Sequence, residues 1–288
     1  MLEKVVTRYK AKYSGFSKEQ VYFVMIVSIL AVIGIISLAA PYIAWNDPYH
    51  IDLTSVLQSP SKAFPFGTDA LGRCVFSRVL YGGKNTIFSA VIIVIITFTV
   101  GSLLGIVSGY IGGMFDQVVM RVTDIFLAFP GMVLAIAVAG VLGGGLMNAM
   151  LAISAIGWTK YTRIARSYVL EIKEETFIQA ARLSGKGELY IIVKHIIPNL
   201  LGYMVVTASL DIGTTMIEMS SLAFLGLSSP LPTPEWGAMI SEGKSMIQFA
   251  PWTILAPGLA LVIVVILFNL LGDAVRDLLD KKQKRKVA

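Results

Sequence analysis

Histidine and cysteine are scarce in this chain, two and one among 288 residues, and the shortage excludes several kinds of protein. A lone cysteine, Cys74, cannot form an intrachain disulfide. His50 and His195 lie far apart, with no further ligand at metal-binding spacing, so no structural metal site is expected. The same three residues supply no nucleophile with a neighbouring base, which argues against an enzyme. A phosphate-binding loop is missing too. The nearest approach to G-x-x-x-x-G-K-[ST] is Gly83-Lys84, where Asn85 replaces the hydroxyl residue and Arg78 the first glycine. Charged residues make up only 15% of the chain, against about a quarter in soluble domains.

What is abundant is apolar: 56% of residues are hydrophobic, which makes an integral membrane protein the leading class. The net charge of +6 does not point to nucleic acid, because the basic residues sit in short blocks beside apolar runs and no aromatic platform interleaves them. A helix needs about 20 mostly apolar residues to cross a bilayer. Six such runs occur, at 21–44, 86–111, 118–142, 146–168, 200–222 and 253–273. They are apolar all round, unlike the one-sided helices of a soluble bundle. The first is longer than the core of a secretory signal, about 7 to 15 residues, and Pro41 directly follows Ala39-Ala40; it reads as a retained anchor. The charge-free stretch from Ile125 to Thr159 would be about 50 Å long as one helix, so Gly143-Gly144-Gly145 predicts a hairpin between the third and fourth spans. Gly101, Gly105 and Gly109 form a smooth stripe suited to close helix packing.

Lys and Arg set the orientation, because cytoplasmic segments retain positive charge. With the N-terminus inside, 19 basic residues fall in cytoplasmic segments and 5 outside, which favours N-in, C-in. The expected division is a cytoplasmic N-terminus (1–20), a first transmembrane helix (21–44), an external loop (45–85), a five-helix core (86–275) and a basic tail (276–288). Within the core, a cytoplasmic loop spans about 169–198.

That loop reads VLEIKEETFIQAARLSGKGELYIIVKHIIPNLLG. Acidic residues suit a helix's first turn and glycine its end, predicting a short helix from about Glu174 to Ser184. Ala180-Ala181 gives it a low-relief surface of the sort that fits a groove on another protein. Pro198 suits the start of the fifth span, where its missing N–H costs nothing. Inside that span stand Asp211 and Glu218, and an acid at a helix centre costs about 2.5 to 3.5 kcal/mol to insert. Two turns apart, they share a face. That face either looks into a polar cavity or toward a partner chain, or its acids are held by hydroxyls such as Thr214 and Thr215. For Asp124, a local pairing with Arg121 is expected.

The loop resembles the EAA loop of ABC-importer permeases, E-A-A, three residues, G, then I-x-L-P. The matching residues are Gln179-Ala180-Ala181, Gly185 and Ile196-Ile197-Pro198, with Gln179 in place of Glu and Ile197 in place of Leu. Further stretches, FPFGTDALGRCVFSRVLYGGKNT, GYIGGMFDQVVMRVTDIFLAFP and SSLAFLGLSSPLPTPEWGAMISEG among them, are similar to the C-type permeases of dipeptide, oligopeptide and nickel importers, although Cys74 stands where Asp is usual. The resemblance covers nearly the whole chain after the first span. It implies an all-α integral membrane protein with the type I ABC importer permease fold, six transmembrane helices N-in/C-in, in a bacterial or archaeal cytoplasmic (inner) membrane. Beyond membrane lipid, the implied partners are a second homologous permease, two cytoplasmic ATPase subunits and an extracytoplasmic solute-binding protein. The chain itself would carry no cofactor, ATP and Mg belonging to the ATPases. Glu175, Gln179, Ala180, Ala181, Gly185 and Pro198 would couple to the ATPase, Asp211 and Glu218 are candidates for the translocation path, and the cargo would be peptides or nickel and other metal complexes. A different class of answer, a proton- or ion-coupled secondary transporter using Asp211 and Glu218, would be expected to show internal repeats; none is evident.

Overall fold

Apolar runs without strand-like alternation fold here into helices throughout. The computed structural model describes residues 17–229 and 232–287. The N-terminal segment through residue 16, Pro230-Leu231 of the proline-rich turn and Ala288 lie outside the described residues, so the basic N-terminus expected above does too. The helices are α1 (Lys18–Leu38), α2 (Ala40–Ile43), α3 (Val75–Ile111), α4 (Gly113–Leu127), α5 (Gly131–Val141) and α6 (Leu146–Ile172). They continue with α7 (Thr176–Leu183), α8 (Glu188–Ile191), α9 (Ile197–Phe224), α10 (Trp236–Gly243) and α11 (Trp252–Val287). Ser17 and Gln20 start α1 with reciprocal side-chain bonds to each other's backbone N–H.

Four helical stretches are long and apolar enough to cross a membrane: Lys18–Leu38, Val75–Ile111, Glu188–Phe224 and Trp252–Leu279. The third expected span is not one helix. At 118–142 the chain forms α4 and α5, bent by 86° at a short break. Pro130 is the cause, since it lacks the N–H that would continue the helix and forces Phe129 away from helical geometry. With 11 residues, α5 reaches only about 17 Å, roughly half the hydrocarbon core. The hairpin after it falls where expected, with Gly143, Gly144 and Gly145 at φ of 87°, 72° and 99°. The fourth expected span, α6, is long enough to cross but carries Lys160, Arg163 and Arg166, and it is not among the four apolar stretches.

The core runs along the bundle in three clusters. One, around Ile93, Ala149, Ile153 and Met219, joins α3, α5, α6 and α9. A second, around Tyr161, Val169, Ile178 and Leu200, reaches the 169–198 loop. The third, around Val75, Met216, Trp236 and Phe268, anchors the opposite end. Outside these, Ile92, Ile95, Ile96 and Leu103 of α3 and Val262, Ile263 and Ile266 of α11 are exposed, an apolar surface that lipid would cover.

The glycine stripe does what its spacing predicts. A Cβ at Gly105 would lie 2.4 Å from the Thr162 carbonyl oxygen and 2.8 Å from the Ala165 Cβ, so α3 and α6 meet backbone to backbone. Gly105→Leu should therefore destabilise the purified protein by about 1 to 3 kcal/mol, the usual cost of overpacking, and lower its thermal midpoint. Gly34→Leu, where a Cβ would meet nothing within 4 Å, should not. Equal midpoints would refute the close approach.

Candidate functional site

The 169–198 loop is folded, not slack. Glu175 occupies the N-cap of α7 without a side-chain cap bond, and Gln179 donates from Nε2 to the Glu174 carbonyl at 3.1 Å. At the other end of α7, Gly185 N–H donates to the Arg182 carbonyl and Lys186 N–H to the Ala181 carbonyl, the double closure of a Schellman motif. This closure puts Gly185 at φ 74°, a conformation costly for any side chain. Ile178 pins the helix from below, fully buried among Ile172, Ile191 and Ile196.

The two alanines part company on this frame. Ala180 is exposed, whereas Ala181 is part-buried and packs on the cluster around Ile178. Around Ala180 the loop presents apolar side chains to solvent: Leu183 is 90% exposed and Leu189 74%. Pro198 falls in the first turn of α9, as expected, although that helix does not begin free. A π-helical turn, Ile192–Ile196, runs from α8 directly into α9, and Ile197 N–H donates back to the Ile192 carbonyl. The widened turn lets a proline sit inside a continuous helical path, and Asn199 Nδ2 satisfies the His195 carbonyl at 2.7 Å.

Further along the bundle, successive turns of α6 carry Lys160, Arg163 and Arg166, and each holds an acid from another helix. Lys160 Nζ pairs with Asp211 of α9, Arg163 with Asp124 of α4 at 2.6 Å, and Arg166 with Asp116 of α4. Two expectations are corrected here. Asp124 pairs with Arg163 across helices and not with Arg121, because α6 brings a guanidinium to it from 39 residues away. Asp211 is held by an ammonium, not by Thr214 or Thr215. The two acids of α9 also prove unlike each other. Glu218 makes no hydrogen bond or ion pair among the described residues and lines a cleft with Met132, Ala135, Ile153 and Ile156. The Lys160, Arg163 and Asp124 side chains are 50%, 55% and 52% exposed.

At the opposite end lies a buried network that sequence reasoning missed. Arg73 and Arg78 are each 1% exposed. Asp69 accepts from Arg73 Nε at 2.7 Å, and Glu242 accepts from both arginines across more than 160 residues of chain. Beside it, the Glu235 carboxylate caps α10, accepting from Gly237 and Ala238 N–H at 2.8 and 2.9 Å. Burial pushes the Glu235 carboxyl above its ordinary range, and these backbone bonds oppose the shift. Trp236 Nε1 donates to the Val79 carbonyl at 2.8 Å, and Asn85 Nδ2 to that of Pro234 at 2.6 Å. The proline-rich turn is thus stapled onto the start of α3.

The chain is similar in sequence to known proteins. The family model for "Binding-protein-dependent transport system inner membrane component" matches residues 101–285. The chain is 41% identical over 254 residues to the probable D,D-dipeptide transport system permease protein DdpC of Escherichia coli K12, covering 88% of this chain and 85% of that one. It is 38% identical over 279 residues to the dipeptide transport system permease protein DppC of Alkalihalophilus pseudofirmus, covering 97% and 91%. With the nickel transport system permease protein NikC of Escherichia coli K12 it shares 40% over 252 residues, covering 88% and 91%. A chain of the MetNI methionine ABC transporter, solved in inward-facing conformations, superposes with a TM-score of 0.58 at 20% identity, over 70% of this chain and 96% of that one, and shares the fold. The ion-coupled alternative finds no support among these relatives. The chain belongs to the family of binding-protein-dependent transport system inner membrane components and is a multi-pass membrane permease of an ABC importer with the type I fold.

Proposed function

We propose that this chain is one half of the solute path of its importer, completed by a second homologous permease and driven through the 169–198 loop by two cytoplasmic ATPase subunits. The observation that carries this reading is the loop itself: a pinned helix with exposed Ala180 at its crest and Leu183 almost fully exposed beside it. Apolar groups so exposed on a segment rich in charge mark a surface that another protein covers. Glu175, Gln179, Ala180 and Gly185 shape that surface, Ala181 supports it from within, and Pro198 stands exposed where the loop passes into α9. ATP and Mg bind the ATPases, and this chain hydrolyses nothing. Closure of the ATPase pair moves the docked loop, α6 and α9 follow, and the path opens to an external solute-binding protein, a two-state element biased from both ends.

The path runs along the charged face of α6 and α9. Charges half exposed at the level of membrane spans cannot face lipid and belong against water or a partner chain. Asp211 and Glu218 lie on this face. The relatives' names point to peptides or nickel and other metal complexes as cargo.

The orientation remains N-in, C-in, with six spans if α4 with α5 counts as one and α6 as another. In a background with Cys74 replaced by serine, a cysteine at Ser61 should react with an impermeant maleimide added outside, and one at Lys186 should not. External reaction at Lys186 would sink the proposal, because the docking surface would face away from ATP.

A further inference from the structure

We propose that Glu218 is the point at which this permease receives a single positively charged group of its cargo, an ammonium and not a metal ion. The inference rests on the reading that the α6 and α9 face lines the path. The structure separates two acids that the sequence treats alike. Asp211 is already neutralised by Lys160, so a passing cation would have to displace an ion pair. Glu218 makes no hydrogen bond or ion pair of its own among the described residues, and Lys160 and Asp211 act on it only from beyond ion-pair distance. A carboxyl group in apolar surroundings is costly unless something compensates it, and here the Lys160 ammonium, already paired with Asp211, compensates it only from a distance.

The cleft has the shape of a receptor. Its walls are Met132, Ala135, Ile153 and Ile156, with Gly131 and Gly157 at its edges. Gly131 is the first residue of α5, directly after the 86° bend, so the cleft sits at the broken helix. Space remains there, since a Cβ on Gly131 would come no nearer to another group than 4.0 Å, at Ile156. One carboxylate ringed by apolar side chains suits one positive charge carrying an apolar body. It does not suit a divalent metal, which needs several ligands; among the described residues no three His, Cys, Asp or Glu gather to hold one. The free carboxyl exchanges its proton with solvent, and an arriving ammonium fixes it as the charged partner of an ion pair, the proton leaving to water.

Reaction with dicyclohexylcarbodiimide tests this in the purified complex of both permeases and the ATPases, without ATP. The reagent adds to a protonated carboxyl and rearranges to an N-acylurea that mass spectrometry locates. Glu218 should be labelled, and Glu218→Gln should abolish that adduct. Alanylalanine, which bears an ammonium, should slow labelling by about tenfold when in about tenfold excess over its dissociation constant. N-acetylalanylalanine and nickel chloride should not. Absence of labelling, equal protection by both peptides, protection by neither, or protection by nickel alone would each overturn the assignment. The measurement needs no coupling and no uptake, so its failure beside normal transport would fault Glu218 alone. A failure of the permease reading would show instead as external reaction at Lys186.

Discussion

Replacing Ala180 with glutamate is expected to cut ATP-driven uptake by about a hundredfold, the equivalent of about 2.7 kcal/mol and the scale of an interface hot spot, while both permease chains still assemble in the membrane. Ala180 is exposed on α7 and lies outside the buried cluster around Ile178, and its carbonyl, which accepts from Ser184, is unchanged by a new side chain. Glutamate is a good helix former, so α7 itself should persist. What changes is the proposed contact: a charge would be buried without a partner where the docking ATPase expects a nearly flat surface. Ala181→Glu is the poorer test, because Ala181 packs on the cluster around Ile178 and its loss would disturb the subunit's own folding. Ala180→Ser should remain close to wild type. Copurification of the ATPase with the permease pair measures docking, and uptake per ATP hydrolysed measures coupling. Unchanged copurification and uptake in Ala180→Glu would return the loop to an ordinary connection.

The parts of this molecule that the sequence reveals are those decided by neighbours in the chain. Gly185 ends α7 because a helix needs a left-handed residue to close on itself, and that requirement is local. The glycine stripe on α3 is likewise local in pattern, though its partner α6 is not named by it. Pro130 was equally legible, and its effect was obscured because the surrounding run is apolar enough to read as one span. What could not be read is long-range pairing. Nothing near Asp124 indicates Arg163 over Arg121, and nothing near Arg73 or Arg78 indicates Glu242. The difference between Asp211 and Glu218 has the same origin, for it depends on where Lys160 points after α6 and α9 have packed.

Glu242→Gln is expected to lower the stability of the assembled complex by about 3 to 5 kcal/mol, the cost of breaking a buried ion pair from one side. Arg73 and Arg78 are both buried, and between them they have two carboxylates, Asp69 and Glu242. Removing the Glu242 charge leaves Asp69 to serve two guanidiniums whose own side chains are only 2% and 1% exposed. The damage would fall at the end of the bundle where α10 meets the start of α3, far from α7, so ATPase copurification should survive at temperatures below the transition. Charge balance makes a sharper prediction than loss alone. Adding Arg78→Met to Glu242→Gln leaves one arginine, Arg73, with one acid, Asp69, at their present 2.7 Å, and fills most of the vacated stem with an unbranched apolar chain. The double variant should therefore melt above the single Glu242→Gln variant, a non-additivity that a thermal midpoint of the purified complex can read. If the double variant melts lower still, by the sum of the two separate losses, then individual contacts and not the balance of buried charge hold this end together.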